Sequence, residues 1–86
     1  MNYTIQFKPQ ADRDLLKISP PTKQRILKKI AELALNPYQL GTQKLKGRKK
    51  QYRVRVGDYR ILYEIFDDRL IVYVIRIAPR DTIYRD

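Results

Sequence analysis

The segment Arg53-Val54-Arg55-Val56-Gly57-Asp58-Tyr59-Arg60 carries three arginines whose spacing brings them onto one surface. Apolar and polar residues alternate on both sides of Gly57-Asp58, which predicts two strands joined by a two-residue turn. In that register Val56 faces Tyr59, Arg55 lies opposite Arg60, and Arg53 follows on the same face opposite Leu62. Opposed side chains in such a ladder sit about 4.5–5.5 Å apart at Cβ, and like charges there are destabilising. Two guanidinium groups at that range repel by roughly 1–3 kcal/mol. A bound polyanion relieves the repulsion, because the arginine fork matches phosphate oxygens two at a time. The chemistry these residues suit is therefore the gripping of phosphates. The expectation depends on register, since a slip of one residue sends each side chain to the other face.

Alternating arginines also make an ordinary solvated strand face. Against that reading, Leu62, Phe66, Ile71, Tyr73 and Ile75 fall on the same predicted face. A half-dry surface of this kind lets arginines hold phosphates while an aromatic ring stacks on a base. Tyr73 has two readings, ring packing and base stacking. The basic run Lys44, Lys46, Arg48, Lys49 and Lys50 reads as a loop that contacts a nucleic-acid backbone rather than a specific site.

Composition narrows the partners and removes several chemistries. The 86 residues include 19 Lys and Arg against 9 Asp and Glu, a formal net charge of +10. That charge concentrates polyanions around the domain and speeds their capture. Nucleic acid is the first candidate partner, an acidic protein the second, and an anionic membrane surface the third. There is no cysteine and no histidine. Disulfides, thiol nucleophiles and cysteine metal sites are thereby excluded, and so is the usual general base near neutral pH. Asp12, Asp14, Asp67, Asp68 and Asp81 lack metal-loop spacing, so no metal is expected, and no glycine-rich phosphate loop or cofactor motif occurs. No apolar run approaches the ~20 residues of a membrane span. Residues 1–8 lack the apolar core of a signal peptide. A cytoplasmic home without membrane association is the expectation.

The elements that must position the arginines follow from periodicity. Tyr3, Ile5 and Phe7 alternate with Thr4 and Gln6 as a half-buried strand does. Pro9 opens a short helix with Ala11, Leu15 and Ile18 at helical spacing, and Ser19-Pro20-Pro21 breaks it. Ser19 is placed to cap a second helix, with proline accepted in its first turn. Ile26, Leu27, Ile30, Leu33 and Ala34 form that helix's apolar stripe, and Asn36-Pro37 ends it. Residues 38–50 are the least regular stretch. Residues 51–56, 59–66 and 69–77 read as strands, with tight turns at Gly57-Asp58 and Asp67-Asp68, and the final residues add at most a short edge strand. The expected architecture is one α+β domain over residues 1–86: an N-terminal strand, a helical hairpin, then an antiparallel meander of three or four strands packed on the helices. Tyr52, Val54, Val56, Tyr59, Ile61, Tyr63, Ile65, Leu70, Val72 and Val74 suit the helix-covered face.

The stretches Lys44-Leu-Lys-Gly47, Tyr52-Arg-Val-Arg-Val-Gly-Asp-Tyr-Arg-Ile-Leu-Tyr-Glu-Ile65 and Val74-Ile-Arg-Ile-Ala-Pro-Arg80, with Tyr84, resemble the RelE family of the RelE/ParE toxin superfamily. The resemblance covers essentially the whole chain, and the hairpin around Gly57-Asp58 is its most specific part. It implies a RelE-like fold and the toxin of a type II toxin–antitoxin system. It also implies an enzyme that enters the ribosomal A site and cleaves mRNA, by attack of a ribose 2′-OH on the adjacent phosphate. The family's catalytic positions fall on Arg53, Arg55, Arg60, Arg80 and Tyr84. The implied partners are a RelB-like antitoxin, the ribosome and mRNA, with DNA reached only through the antitoxin. Well-studied members carry lysines where this chain has Arg53 and Arg55, and many place a histidine where it has Pro79. Arginine stays protonated in proteins, so the cluster is rich in charge stabilisation and poor in bases. Two alternatives are a ParE-like inhibitor of DNA gyrase and a module that binds RNA or antitoxin without cutting.

Overall fold

A computed structural model describes residues 2–39, 42–45 and 51–79. The chain runs through β1 (Thr4–Phe7), α1 (Pro9–Leu16), α2 (Pro20–Leu35), β2 (Gln43–Lys44), β3 (Gln51–Val56), β4 (Tyr59–Phe66) and β5 (Ile71–Pro79). The five strands form one sheet in the order β1-β5-β4-β3-β2. The α+β class, the strand–helix–helix–meander order and the two helices match the expectation. Two features extend it. β1 joins the sheet parallel to β5, pairing Thr4 with Ile71 through Phe7 with Val74. The irregular stretch contributes β2, which pairs Gln43 with Arg53 and Lys44 with Tyr52.

Both helices start on prolines. Lys8 and Ser19 are the extended N-cap residues, and neither caps through its side chain. The expected Ser19 cap is thus right in place and not in bonding. Pro20 and Pro21 occupy the first turn of α2 and carry no N–H, which leaves fewer orphan donors for a cap to satisfy. Ile26, Ile30 and Leu33 are the buried stripe of α2. They meet Val54, Ile61, Tyr63, Ile65, Val72 and Val74 of the sheet in a single core. Each such aliphatic side chain contributes about 1.5–3 kcal/mol on full burial. Leu27, expected in the stripe, lies at its margin and is 40% exposed.

The Gly57-Asp58 turn forms as expected, with Gly57 at φ 56°. Glycine at the first central position with positive φ is the signature of a II′ hairpin turn, whose twist matches that of the strands. The second turn departs from expectation. It spans Asp67 to Leu70, so β5 begins at Ile71 rather than at residue 69. Leu70 adopts φ 53° and lies in the turn rather than on the buried strand face. Two aspartates supply no glycine for a two-residue turn. The chain instead makes a helical turn, with Arg69 N–H donating to Phe66 O at 3.3 Å, and closes it with one left-handed residue.

Polar ties hold the periphery. Asp67 accepts from the hydroxyls of Tyr3 and Tyr38, each at 2.6 Å, and so joins the chain start, the end of α2 and the β4–β5 turn. The hydrogen bond to Asp67 raises the Tyr3 pKa, and burial with the same carboxylate raises that of Tyr38. Tyr63, fully buried, donates to Pro37 O at 2.8 Å, and its hydroxyl lies 3.0 Å from Thr42 Oγ1. Burial pushes its phenol up to about 12. Tyr63→Phe strips the Pro37 carbonyl of this donor in a dry site, with an expected cost of about 1–3 kcal/mol in urea unfolding.

Asp14, 8% exposed on α1, is the buried acid among the described residues. Its Oδ2 accepts from Arg76 Nε at 2.9 Å and from the Ile77 N–H at 2.8 Å. Gln10 Nε2 donates to Oδ1 at 3.0 Å. Burial alone would raise the carboxyl's pKa, but the Ile77, Arg76 and Gln10 bonds together outweigh it and hold the group below 3.8. A carboxyl with a lowered folded-state pKa stabilises the fold above its unfolded value and loses that contribution as pH falls through the folded value. The stability gap between the native chain and Asp14→Asn should therefore be full near neutral pH and shrink below about pH 4. Urea midpoints across that range check this, and a gap that ignores pH would contradict it.

Candidate nucleic-acid interface

The β3–β4 ladder has the register read from the sequence: Val56 pairs with Tyr59, Arg55 with Arg60, and Arg53 with Leu62. The three arginines therefore share the sheet face turned away from the helices. Arg55 is exposed, whereas Arg53 and Arg60 are half-buried. Neither Arg55 nor Arg60 has an ion-pair partner among the described residues. The Nε of Arg60 is buried with no hydrogen-bond partner among them. A buried donor left unsatisfied costs about 1–3 kcal/mol or more. The face thus combines a like-charge pair with an unsatisfied cation, both of which an anion would relieve.

Arg53 is held differently. Its Nε and Nη2 both donate to Gln43 Oε1, at 3.1 and 2.8 Å, across the β2–β3 pair. This fork fixes the guanidinium above the sheet edge. Gln43 is a site residue that sequence reasoning missed, because it lies in a stretch with no readable period. Lys44, the next residue, is exposed and pairs with Tyr52. Strand alternation places it on the face opposite Gln43 and Arg53, so it does not join the cluster. Lys46, Arg48, Lys49, Lys50, Arg80 and Tyr84 lie outside the described residues.

Farther along the same face, Gln51 donates to Glu64 at 3.1 Å, and Glu64 pairs with Tyr73. The Tyr73 ring meets Phe66 edge-on at 5.6 Å between centroids, and Lys8 Nζ sits 4.5 Å from its centre. Arg69 stands over the Phe66 ring at 4.5 Å. Tyr73 is therefore on the arginine face, with its ring packed against a second ring and a cation, as its packing reading requires. Leu62, Phe66, Ile71, Tyr73 and Ile75 are all half-buried, as a half-dry face requires.

A cavity of about 340 Å³ lies elsewhere, along the β5 edge, and Asp14, Lys17, Tyr59 and Arg76 are among its lining residues. None of the three arginines lines it. Among the described residues no group of His, Cys, Asp and Glu could hold a metal ion. No helix among them is long and apolar enough to cross a membrane. In the sequence Asp14 reads only as an acid without metal spacing. Its position between Ala11 and Ile18, on the apolar side of α1, is the signal that marks it as buried.

Comparison with known proteins gives the family. Residues 5–84 match the family model described as the ParE toxin of the type II toxin–antitoxin system parDE. The chain is 34% identical over 90 residues to Toxin RelG of Mycobacterium tuberculosis, covering 99% of each chain. It is 25% identical over 83 residues to the mRNA interferase toxin RelE of Escherichia coli K12, covering 94% of this chain and 86% of that one. The crystal structure of the toxin–antitoxin complex RelBE2 from Mycobacterium tuberculosis superposes with a TM-score of 0.81 at 29% identity, over 93% of this chain and 100% of its counterpart. The chain belongs to the RelE/ParE toxin family of type II toxin–antitoxin systems, and within it is a RelE-like toxin.

Proposed function

We propose that this toxin is a ribosome-dependent endoribonuclease that cuts mRNA in the A site and so inhibits translation. The observation that carries the reading is the opposed pair Arg55 and Arg60, on the sheet face turned away from the helices, with no acidic partner among the described residues. The mRNA interferase name of the Escherichia coli relative supports it. In the reaction a ribose 2′-oxygen attacks the adjacent phosphorus, and the bond from phosphorus to the 5′-oxygen breaks. The products are a 2′,3′-cyclic phosphate and a free 5′-hydroxyl. The 2′-hydroxyl proton passes to solvent water during attack, and the departing 5′-oxygen takes one from water or from the Tyr84 hydroxyl.

The residues divide that work by charge. Arg60 and Arg80 stabilise the negative charge that builds on the pentavalent phosphorane, an electrostatic role of the oxyanion-hole kind. Arg53, held by Gln43, and Arg55 position the backbone and lower the pKa of the attacking hydroxyl. Tyr84 orients the nucleotide by stacking or helps protonate the leaving oxygen. Lys46, Arg48, Lys49 and Lys50 hold the RNA backbone without reading sequence, and Tyr73 offers its ring to a base; Lys44, on the opposite face, takes no part. The ribosome keeps the mRNA in line for attack. A RelB-like antitoxin holds the toxin inactive in the cytoplasm. The toxin–antitoxin complex among the similar structures and the chain's +10 charge, which suits an acidic partner, support that pairing.

Programmed ribosomes mixed with the toxin, with cuts mapped by primer extension, test the proposal. Arg60→Ala should lower the cleavage rate by about 10²–10³-fold while leaving the circular dichroism spectrum unchanged. Full activity in that variant would sink the scheme. Intact mRNA together with arrested DNA replication would point instead to the gyrase-inhibiting branch of the family. Gln43→Ala frees the Arg53 fork, and the expected result is weaker RNA binding with its salt dependence retained, because the phosphate-contacting charges remain.

A further inference from the structure

We infer that Asp14 and Ala78 are positioning residues for Arg60: the carboxylate on α1 fixes a one-residue bulge in β5, and the bulge sets a small side chain opposite the arginine. The inference rests on the role of Arg60 proposed above.

The bulge is explicit in the register. Tyr63 pairs with Val74, but its neighbour Leu62 pairs with Arg76, so Ile75 is extra. Beyond this point Ile61 pairs with Ile77 and Arg60 with Ala78. Without the extra residue, Arg76 would face Ile61 in the core and Ile77 would face Arg60. With it, Ile77 and Ile61 are buried together, at 2% and 0% exposure. Bulges of this kind re-aim side chains next to active sites.

What holds the bulge is Asp14. Its carboxylate binds the two residues that follow the extra one, Arg76 through the guanidinium and Ile77 through the backbone N–H. β1 pairs with β5 only as far as Val74, so among the described residues no strand covers the β5 edge at Ile77. α1 takes over there with one side chain. Buried ion pairs add little net stability over an apolar replacement, and fixing register is their best-attested use.

The consequence for the arginine face is one of room. A methyl group stands opposite Arg60 where a branched side chain would otherwise stand. The arginine's Nε is buried, so its stem lies low against the sheet. An isoleucine at that place would lift the guanidinium away from the surface it shares with Arg55.

Two readouts test this in the full chain. In a spectrum of 15N-arginine protein, the Arg60 Nε–H should exchange slowly with water. Ala78→Ile should speed its exchange by about tenfold or more, as should Asp14→Asn, whereas Ala78→Gly and the remote control Ile71→Val should not. In single-turnover cleavage on ribosomes, Ala78→Ile should lose about 10²-fold in rate, the cost of a misplaced catalytic group, and Ala78→Gly should stay near native. In an Arg60→Ala background, Ala78→Ile should add nothing. Ala78→Val serves if the isoleucine variant fails to fold. An unchanged Arg60 resonance and exchange rate in Ala78→Val and Asp14→Asn would overturn the inference. So would an Ala78→Ile loss of the same factor with Arg60 absent. A displaced resonance in a chain that never cuts RNA would uphold the positioning and overturn only the cleavage reading.

Discussion

The register between β3 and β4 is the constraint on which the rest of the molecule depends. The II′ turn at Gly57 fixes it, because a residue with a Cβ strains at that left-handed φ and the turn admits only one pairing of its flanks. From that pairing come both faces of the sheet at once. Val54, Ile61 and Tyr63 go to the helices, and Arg53, Arg55 and Arg60 go to the open side. A one-residue slip would bury three guanidinium groups and expose three core residues. The apolar face thus protects the register that the charged face alone would oppose.

The charged face is a cost that the core carries. Arg55 and Arg60 are like charges paired across the ladder, the Arg60 Nε is buried without a hydrogen-bond partner among the described residues, and the chain bears a net charge of +10. Such features destabilise a small domain and persist where function requires them. The compensation lies on the opposite face, in the apolar core and in polar ties that are fully satisfied. Asp67 joins two tyrosines, and Tyr63 joins Pro37 and Thr42. A rigid frame of this sort keeps mutually repelling groups close together before any ligand arrives.

Family membership and geometry answer different questions here. The family assigns the chain to the toxins of type II toxin–antitoxin systems. The superfamily includes members with unlike targets, so the fold alone does not select a chemistry. The proposed chemistry rests on the arrangement of the cations instead. The chain has no histidine, and arginine is the side chain least able to act as a base and most able to hold a phosphate.

The amino-acid sequence by itself determined the elements, the hairpin register and the face on which Arg53, Arg55 and Arg60 stand. Those features follow from local rules: strand alternation, helical spacing and the backbone freedom of one glycine. Only the tertiary structure decided where β1 docks, that Gln43 adds a strand and grips Arg53, and that β4 and β5 are joined by a helical turn ending in left-handed Leu70. It also decided the bulge that flips the parity of β5, so that Ile77 enters the core and Ala78 comes to face Arg60. That choice depends on Asp14, 63 residues before Ile77 in the chain. A contact between such distant residues leaves no period in the sequence, because the alternation within β5 is broken by a partner that the strand itself does not contain.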